Sequence, residues 1–275
     1  MKTIEELLRN GESRLKDAYI EDAKLDAWYL MEYCFHMSRV SFLLDRNKPV
    51  SEEKEREYIT LIEKRKSHIP LQHITGEQEF MGYSFYVNEH VLIPRQDTEI
   101  LVEEIVPYAS GKKILDMCTG SGCILISLSK EVDLQVGVGA DISSEALKVA
   151  KKNAVRNQSE VRFVQSDLFT QINETFDIIV SNPPYIESRE VDCLMPEVRL
   201  HEPRIALDGM EDGLYFYKKI IEQSVFHLNQ GGRIFFEIGY NQGEAVSRLL
   251  EEAGYSEIKV KKDLAQLDRV VSAKL

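Results

Sequence analysis

No Cys-x-x-Cys pair and no His-x-x-x-His spacing occurs in this sequence: the four cysteines, Cys34, Cys118, Cys123 and Cys193, and the six histidines stand apart. Neither a structural metal site nor a disulfide framework is therefore expected, and the thiols read as reduced. No apolar run approaches the roughly 20 residues that a bilayer-spanning helix requires. The start, "MKTIEELLRN", is charged and amphipathic rather than a signal peptide, so the chain is expected to be cytoplasmic and free of the membrane. A basic stripe is missing too. Residues 1–75 hold 13 Lys and Arg against 14 Asp and Glu, the remainder 21 against 32, and the net charge is -12. Phosphate binding usually leaves a basic footprint, so nucleic acid is not an expected partner. The short cluster Glu63–His68, "EKRKSH", reads as a solvated helix end. No internal repeat or low-complexity tract appears.

What is present is an ordinary globular composition, 43% hydrophobic and 29% charged over 275 residues. It suffices for one large domain with a smaller one. The first 70 residues carry helix-face spacing at Ile4, Leu7, Leu8, at Leu25, Trp28, Tyr29 and at Tyr58, Leu61, Ile62, the last behind a Ser51 cap with Glu52 and Glu53 in the first turn. Pro70 closes the block. "GYSFYVNEHVLIPR" alternates at Tyr83, Phe85 and Val87, turns around Asn88–His90 and resumes at Val91 and Ile93, which predicts a hairpin. From about Thr98 onward apolar runs alternate with helical stretches: "KKILDMC", "VGVGADI", "VRFVQ", "FDIIVSN" and "RIFFEIG". That alternation predicts a mainly parallel, doubly wound α/β sheet. The ending "YSEIKVKKDLAQLDRVVSAKL" predicts an antiparallel pair at its edge. The expected organisation is a helical domain over 1–75, a hairpin linker over 76–95 and a catalytic domain over 96–275.

Between the first strand and helix of the sheet, Thr119, Gly120, Ser121 and Gly122 offer a small-residue loop and a helix N-terminus to a ligand. The dinucleotide version of this loop wants Gly or Ala three residues after the second glycine, where Leu125 stands, which counts against NAD. Asp116 before the loop would repel a pyrophosphate but suits an ammonium. Asp141, 19 residues beyond Gly122 and next to Ile142, could accept from both hydroxyls of a ribose, or merely serve a helix start near Ser143. Asp167 could accept from an adenine amine while Leu168 or Phe169 covers the ring. Three carboxylates at the ends of strands one, two and three fit S-adenosylmethionine, read in chain order as amine, ribose and adenine.

The fourth strand ends in "VSNPPYI". Asn182 brings a side-chain carbonyl, Pro183 a backbone carbonyl that the following proline cannot engage, Pro184 stiffness, and Tyr185 an aromatic wall. Two acceptors can hold one NH2 group on a fixed line with a methyl donor, so no histidine or cysteine nucleophile is needed. The sequence therefore predicts a class I S-adenosylmethionine-dependent methyltransferase fold, Rossmann-like with an antiparallel last strand, plus a small helical N-terminal domain.

Together "PLQHITGEQEF", "VLIPRQDTEILVE", "DMCTGSG", "SDLF", "FDIIVSNPPYI", "EPRIALDGMEDGLYFYKKI" and "GGRIFFEIGYNQG" run in the order of the HemK/PrmC family, which the chain resembles over nearly its whole length. "NPPY" alone is shared with amino-methyltransferases of nucleic-acid bases; "IPRQDTE" and "EPRIALDG" are specific to this family. The resemblance implies a protein-(glutamine-N5) methyltransferase acting on the Gly-Gly-Gln loop of class I peptide chain release factors, with S-adenosylhomocysteine as product. It also implies a helical domain that docks another part of the release factor, a working monomer, and Phe80, Arg95, Thr98, Glu99 and Glu237 as residues around the substrate. Three positions depart from the family: Cys118 and Gln266 stand where it has glycine, and Gln96 where it has proline. Cys118, in the cofactor loop, would narrow the ligand's path if its φ is positive. The rival readings are an N6-adenine methyltransferase using the same corner on a flipped base, and a non-catalytic binding module.

Overall fold

The computed structural model describes residues 2–275. The chain divides into two compact units: the chain up to Gly76 together with Met195–His201, and Glu77–Leu194 with Glu202–Leu275.

In the helical unit, α1 (Ile4–Asp17) opens on a capping box, the Glu6 N–H donating to Thr3 Oγ1 at 3.2 Å and the Thr3 N–H to the Glu6 carboxylate at 2.8 Å. It is followed by α2 (Ala23–Phe35), α3 (Arg39–Asp45), α4 (Glu52–Lys66), which Ser51 caps as expected, and α5 (Leu71–Thr75). Leu7, Leu15, Trp28, Leu30, Tyr58 and Ile62 share its core, where the Tyr58 hydroxyl donates to the Ala27 carbonyl at 3.0 Å. The buried Arg65 donates to Asp26 at 2.6 Å and to Glu197 at 3.0 Å. The segment Met195–His201 thus belongs to this unit although it lies 130 residues downstream of Arg65, a pairing no local pattern announces.

The second unit begins with β1 (Glu77–Phe80) and β2 (Tyr83–Tyr86), paired antiparallel. Their two-residue turn is Met81–Gly82, with φ of 53° and 74°, the sign pattern of a type I′ turn. The chain does turn at Asn88–His90, where the Val91 N–H donates to the Asn88 carbonyl at 3.2 Å, but the expectation that this turn closes a hairpin is corrected. Val91 and Ile93 form no strand but are buried as loop side chains. Met-Gly is a weak turn signal, so the alternation at Tyr83–Val87 pointed downstream instead of back.

Then come α6 (Asp97–Ala109), β3 (Lys113–Met117), α7 (Cys123–Glu131), β4 (Val136–Asp141), α8 (Ser144–Arg156), β5 (Arg162–Gln165) and β6 (Phe176–Ser181). The chain continues through α9 (Ser188–Val191), α10 (Pro196–His201), α11 (Tyr215–Ser224), β7 (Leu228–Glu237), α12 (Gly243–Glu252), β8 (Ser256–Lys262) and β9 (Asp268–Lys274). The seven strands of the sheet are ordered β5-β4-β3-β6-β7-β9-β8, parallel from β5 to β7 and antiparallel in β9 and β8. This is the doubly wound arrangement that the sequence predicts. Leu115, Met117, Ile179, Ile234 and Phe236 pack against α11 and α12 on one face. Ile114, Ile178, Val180 and Phe235 pack with α6 and α7 on the other. Strand order reverses at β3, so the loops after β3 and β6 part there and leave a crevice at the carboxyl edge.

Candidate active site

A cavity of about 320 Å³ opens at that edge. Its size is at the small end of the range of about 300–1,000 Å³ usual for pockets that enclose a small molecule. The loop after β3 forms one wall: Cys118, Thr119, Gly120 and Ser121 line it. Three of the loop's five residues have positive φ, 63° at Cys118, 54° at Gly120 and 79° at Gly122, so the loop needs residues that tolerate the left-handed region. Cys118, which lines the cavity, occupies that region, the condition under which it narrows the ligand's path. Gln266 also sits at a positive φ, 65°, so both family glycines that this chain lacks fall where the backbone is left-handed.

The carboxylates are placed differently from one another. Asp116 does not reach the cavity: it is fully buried beneath the loop, where Thr119 Oγ1 donates to its Oδ2 at 2.5 Å and its Oδ1 has no partner. Burial pushes its pKa up to about 7 against the Thr119 hydroxyl, with Asp141 adding to the rise. The expectation that it grips an ammonium directly is corrected accordingly; it braces the loop from below. Asp141 lines the cavity and is braced as well, its Oδ2 accepting from the Gly120 N–H and its Oδ1 from the Ser143 N–H, each at 2.9 Å. Both readings of this residue, loop organiser and ligand acceptor, are therefore available at once, since each oxygen keeps a second lone pair. Burial raises its pKa against those backbone donors. Ile142, Asp167 and Leu168 also line the cavity, whereas Phe169 is buried and stacks on His227 with centroids 4.6 Å apart. Leu168, at φ 47°, rather than Phe169 is the side chain available to a ring.

At the end of β6, Asn182 and Pro184 line the cavity. Asn182 Nδ2 donates to Thr98 Oγ1 at 3.4 Å. No backbone donor among the described residues reaches the Pro183 carbonyl. Tyr185 does not wall this cavity; it borders a second one, of about 340 Å³, with Glu187 and Tyr240. The corner is clamped from behind by residues that the sequence reading gave no role. Gln242 Nε2 donates to the Tyr185 carbonyl at 3.0 Å, the Ile186 N–H to Leu207 O at 3.0 Å and the Gly209 N–H to Ile186 O at 2.7 Å. Gly213, at φ 68°, lies so close that a Cβ there would overlap the Tyr185 carbonyl oxygen.

Of the residues expected around the substrate, Arg95 and Thr98 line the cavity. Arg95 donates to the buried Glu202 at 2.5 Å, and Glu202 also accepts from the Ile93 N–H at 3.3 Å, which fixes the loop before α6. Phe80, Glu99 and Glu237 are not brought to it. Phe80 is buried beside Phe85 at the turn of the hairpin, Glu99 accepts from the Met81 N–H at 2.6 Å, and Glu237 lies sealed behind Thr98 and Asn182. Pro203, Ile205, Met210, Tyr215 and Phe216 complete the lining. They escaped the sequence reading because apolar loop residues have no period, although the segment "EPRIALDG" was singled out for its resemblance. Among the described residues no cluster of His, Cys, Asp or Glu could hold a metal ion, and no helix is long and apolar enough to cross a membrane.

The chemistry of this lining fits S-adenosylmethionine. Asp141 and Asp167 offer acceptors to hydroxyls and an amine, the first turn of α7 at Cys123 and Ile124 offers helix N-terminal N–H groups to a carboxylate, and Leu168 and Ile142 offer apolar surface. Comparison with known proteins agrees. Residues 6–76 match the family described as PrmC N-terminal domain, and residues 95–208 match the Methyltransferase small domain. The chain is 39% identical to the release factor glutamine methyltransferase of Clostridium botulinum, across 98% of this chain and 99% of that one. It is 40% identical to that of Clostridium acetobutylicum, across 98% of each. A solved methyltransferase from Pyrococcus furiosus shares the fold, with a TM-score of 0.52 at 19% identity over 69% of this chain and 87% of that one. With this identity over its full length, the chain belongs to the release factor glutamine methyltransferase family.

Proposed function

We propose that this protein transfers the methyl group of S-adenosylmethionine to the side-chain amide nitrogen, N5, of the glutamine in the Gly-Gly-Gln loop of class I peptide chain release factors. The observation that carries the reading is the corner at Asn182, an amide on the wall of a cofactor-sized cavity whose Nδ2 is engaged by Thr98 and whose Oδ1 accepts from no described residue. S-adenosylmethionine, when bound, supplies an activated methyl and ends as S-adenosylhomocysteine. Asn182 Oδ1 and the Pro183 carbonyl accept the two hydrogens of the substrate NH2, which aims its nitrogen and stabilises the positive charge that develops on it. Pro184 stiffens the corner, and Tyr185 anchors it through its backbone carbonyl. Arg95, held by Glu202, orders the loop that covers the site. Asp141, Asp167, Leu168, Ile142 and the segment from Cys118 to Gly122 hold the cofactor.

The helical unit is proposed to dock another part of the release factor. Leu25, Tyr29 and Tyr33 on α2 and Val40, Leu43 and Leu44 on α3 are exposed by 43% to 80%, an apolar surface suited to a protein partner. The protein is proposed to act as a monomer, in the cytoplasm and without nucleic acid, in keeping with its charge of -12. Mass spectrometry of purified release factor incubated with the protein and labelled cofactor tests the reaction: a single methyl on the glutamine is expected. Label in a DNA fragment and none in the release factor would replace this function with base methylation. Serine at Leu25, Tyr29 and Tyr33 should raise KM for intact release factor and leave a short Gly-Gly-Gln peptide unaffected; an unchanged KM would remove the docking role.

A further inference from the structure

Glu237 is the least explained group near the corner. It ends β7 as Asn182 follows β6, and the register Ser181↔Phe236 brings the two residues side by side. Glu237 is 2% exposed and does not line the cavity, and its Oε2 has no partner among the described residues. Thr98, in the first turn of α6, is also 2% exposed. Its Oγ1 receives the Asn182 Nδ2 hydrogen bond at 3.4 Å, and both its hydroxyl and the Asn182 side chain bear on the Glu237 carboxyl.

The direction of this chain matters because an amide has two orientations and only one presents an acceptor. An ionised carboxylate can only accept, so a Thr98 hydroxyl turned to Glu237 spends its single proton there. Its lone pair then faces Asn182, which can answer only with N–H. The Asn182 carbonyl is thereby left for the substrate. Without a carboxylate the hydroxyl could donate to Asn182 Oδ1 instead, and the amide would present N–H groups to the NH2 of the incoming glutamine.

We infer that Glu237 is a positioning residue which, acting through Thr98, fixes the orientation of the Asn182 amide and so makes it an acceptor for the substrate. The inference rests on the proposed glutamine methylation and extends it by naming what sets the polarity of its site. The groups facing Glu237 are Thr98 and Asp97 from α6, Asn182 and Tyr185 from the corner, Arg269 from β9, Tyr217 from α11 and Cys123 from α7. Arg269 donates to Asp97 at 3.1 Å and to Asp263 at 3.0 Å, so its charge is shared. Burial pushes the Glu237 pKa up to about 7 against Thr98, Arg269 and Asn182. Protonation gives the carboxyl a hydrogen to donate and removes its hold on the direction of the chain.

The test is kcat and KM against pH for wild type, Glu237→Gln, Thr98→Val and Thr98→Ser with intact release factor, with cofactor affinity by calorimetry as the check on folding. Wild-type kcat should rise with pH through about 7. Glu237→Gln, whose amide can donate as well as accept, should lower the high-pH kcat roughly 10- to 100-fold, less than outright loss of an oriented transition-state partner. It should also flatten that rise, with KM and cofactor affinity within about twofold of wild type. Thr98→Val should match it, the double variant should be no worse than either single one, and the hydroxyl of Thr98→Ser should restore most of the loss. A Glu237→Gln profile of wild-type height and shape, or additive losses in the double variant, would overturn the inference alone. A wild-type protein inactive on release factor would overturn the proposed function and this inference with it.

Discussion

Replacing Asn182 by alanine removes one of the two acceptors proposed for the substrate amide while leaving the corner standing. The backbone there is held by Gln242 at Tyr185 O, by Leu207 O at the Ile186 N–H and by the Gly209 N–H at Ile186 O, at 3.0, 3.0 and 2.7 Å, and none of these uses the Asn182 side chain. Inside the protein the variant loses the 3.4 Å hydrogen bond to Thr98 and the side chain's approach to Glu237. A bond that long contributes no more than the low end of the net 0.5–1.5 kcal/mol of an ordinary hydrogen bond, so cofactor affinity should move by less than about 1.5 kcal/mol. The loss at the reacting nitrogen is larger. An amide nitrogen is a poor nucleophile because its lone pair is delocalised, and hydrogen bonds from its N–H groups strengthen as it becomes positive. Removing one oriented partner of a transition state costs about 2.7–4 kcal/mol, so kcat should fall roughly 10²- to 10³-fold. Single-turnover transfer of labelled methyl, measured on intact release factor and on a short Gly-Gly-Gln peptide, reads this directly. The loss should be the same on both, because the contact is made at the reacting atom. A variant that methylates at near the wild-type rate would refute the assignment and leave the corner a structural turn.

Asp141→Ala should weaken cofactor binding by about 1–3 kcal/mol in calorimetry, since it removes ligand acceptors and also frees the Gly120 and Ser143 N–H groups; unchanged affinity would place the ribose elsewhere. Cys118→Gly relieves a left-handed residue at φ 63°, a strain of about 1–2 kcal/mol offset by about 0.5–1 kcal/mol of glycine entropy. It should tighten cofactor binding without lowering Tm, and weaker binding would show that the thiol is a contact rather than an obstruction. Asp116 and Glu237 have folded pKa values pushed up to about 7, from ordinary values of 3.8 and 4.5. Between those limits the folded protein keeps protons that the unfolded chain has released. The stability they contribute is therefore complete below about pH 4 and lost as pH rises toward about 7. Asp116→Asn should shrink the difference between denaturation midpoints at pH 5 and pH 8, and an undiminished difference would deny Asp116 its raised pKa.

Much of the fold was legible because parallel strands are buried on both faces and read as continuous apolar runs. β3, β4, β6 and the apolar end of β7 stand where such runs occur. The cofactor loop was legible because its backbone demands small residues, and the corner because Asn-Pro-Pro cannot continue a strand. The hairpin was misread since its turn falls on Met81–Gly82, which lacks the usual turn chemistry. Asp116 was misread for another reason: a carboxylate at a strand end can face out to a ligand or down beneath a loop, and the sequence is the same in both cases.

The sequence by itself determined the alternation of strands and helices, the edge of the sheet where a ligand would bind and the residue types available there, since each is a local consequence of period, backbone freedom and missing N–H groups. Only the tertiary structure decided which of those residues share a surface. Thr98, Asn182 and Glu237 come from α6, the loop after β6, and β7, and Arg65 meets Glu197 across 132 residues. Such meetings depend on strand register and on which side chains closure seals from water. They also reset the chemistry, because the same carboxyl that is a solvated anion at an open strand end becomes, once buried beside a single hydroxyl, a group poised near neutrality that dictates the direction of its neighbours' hydrogen bonds.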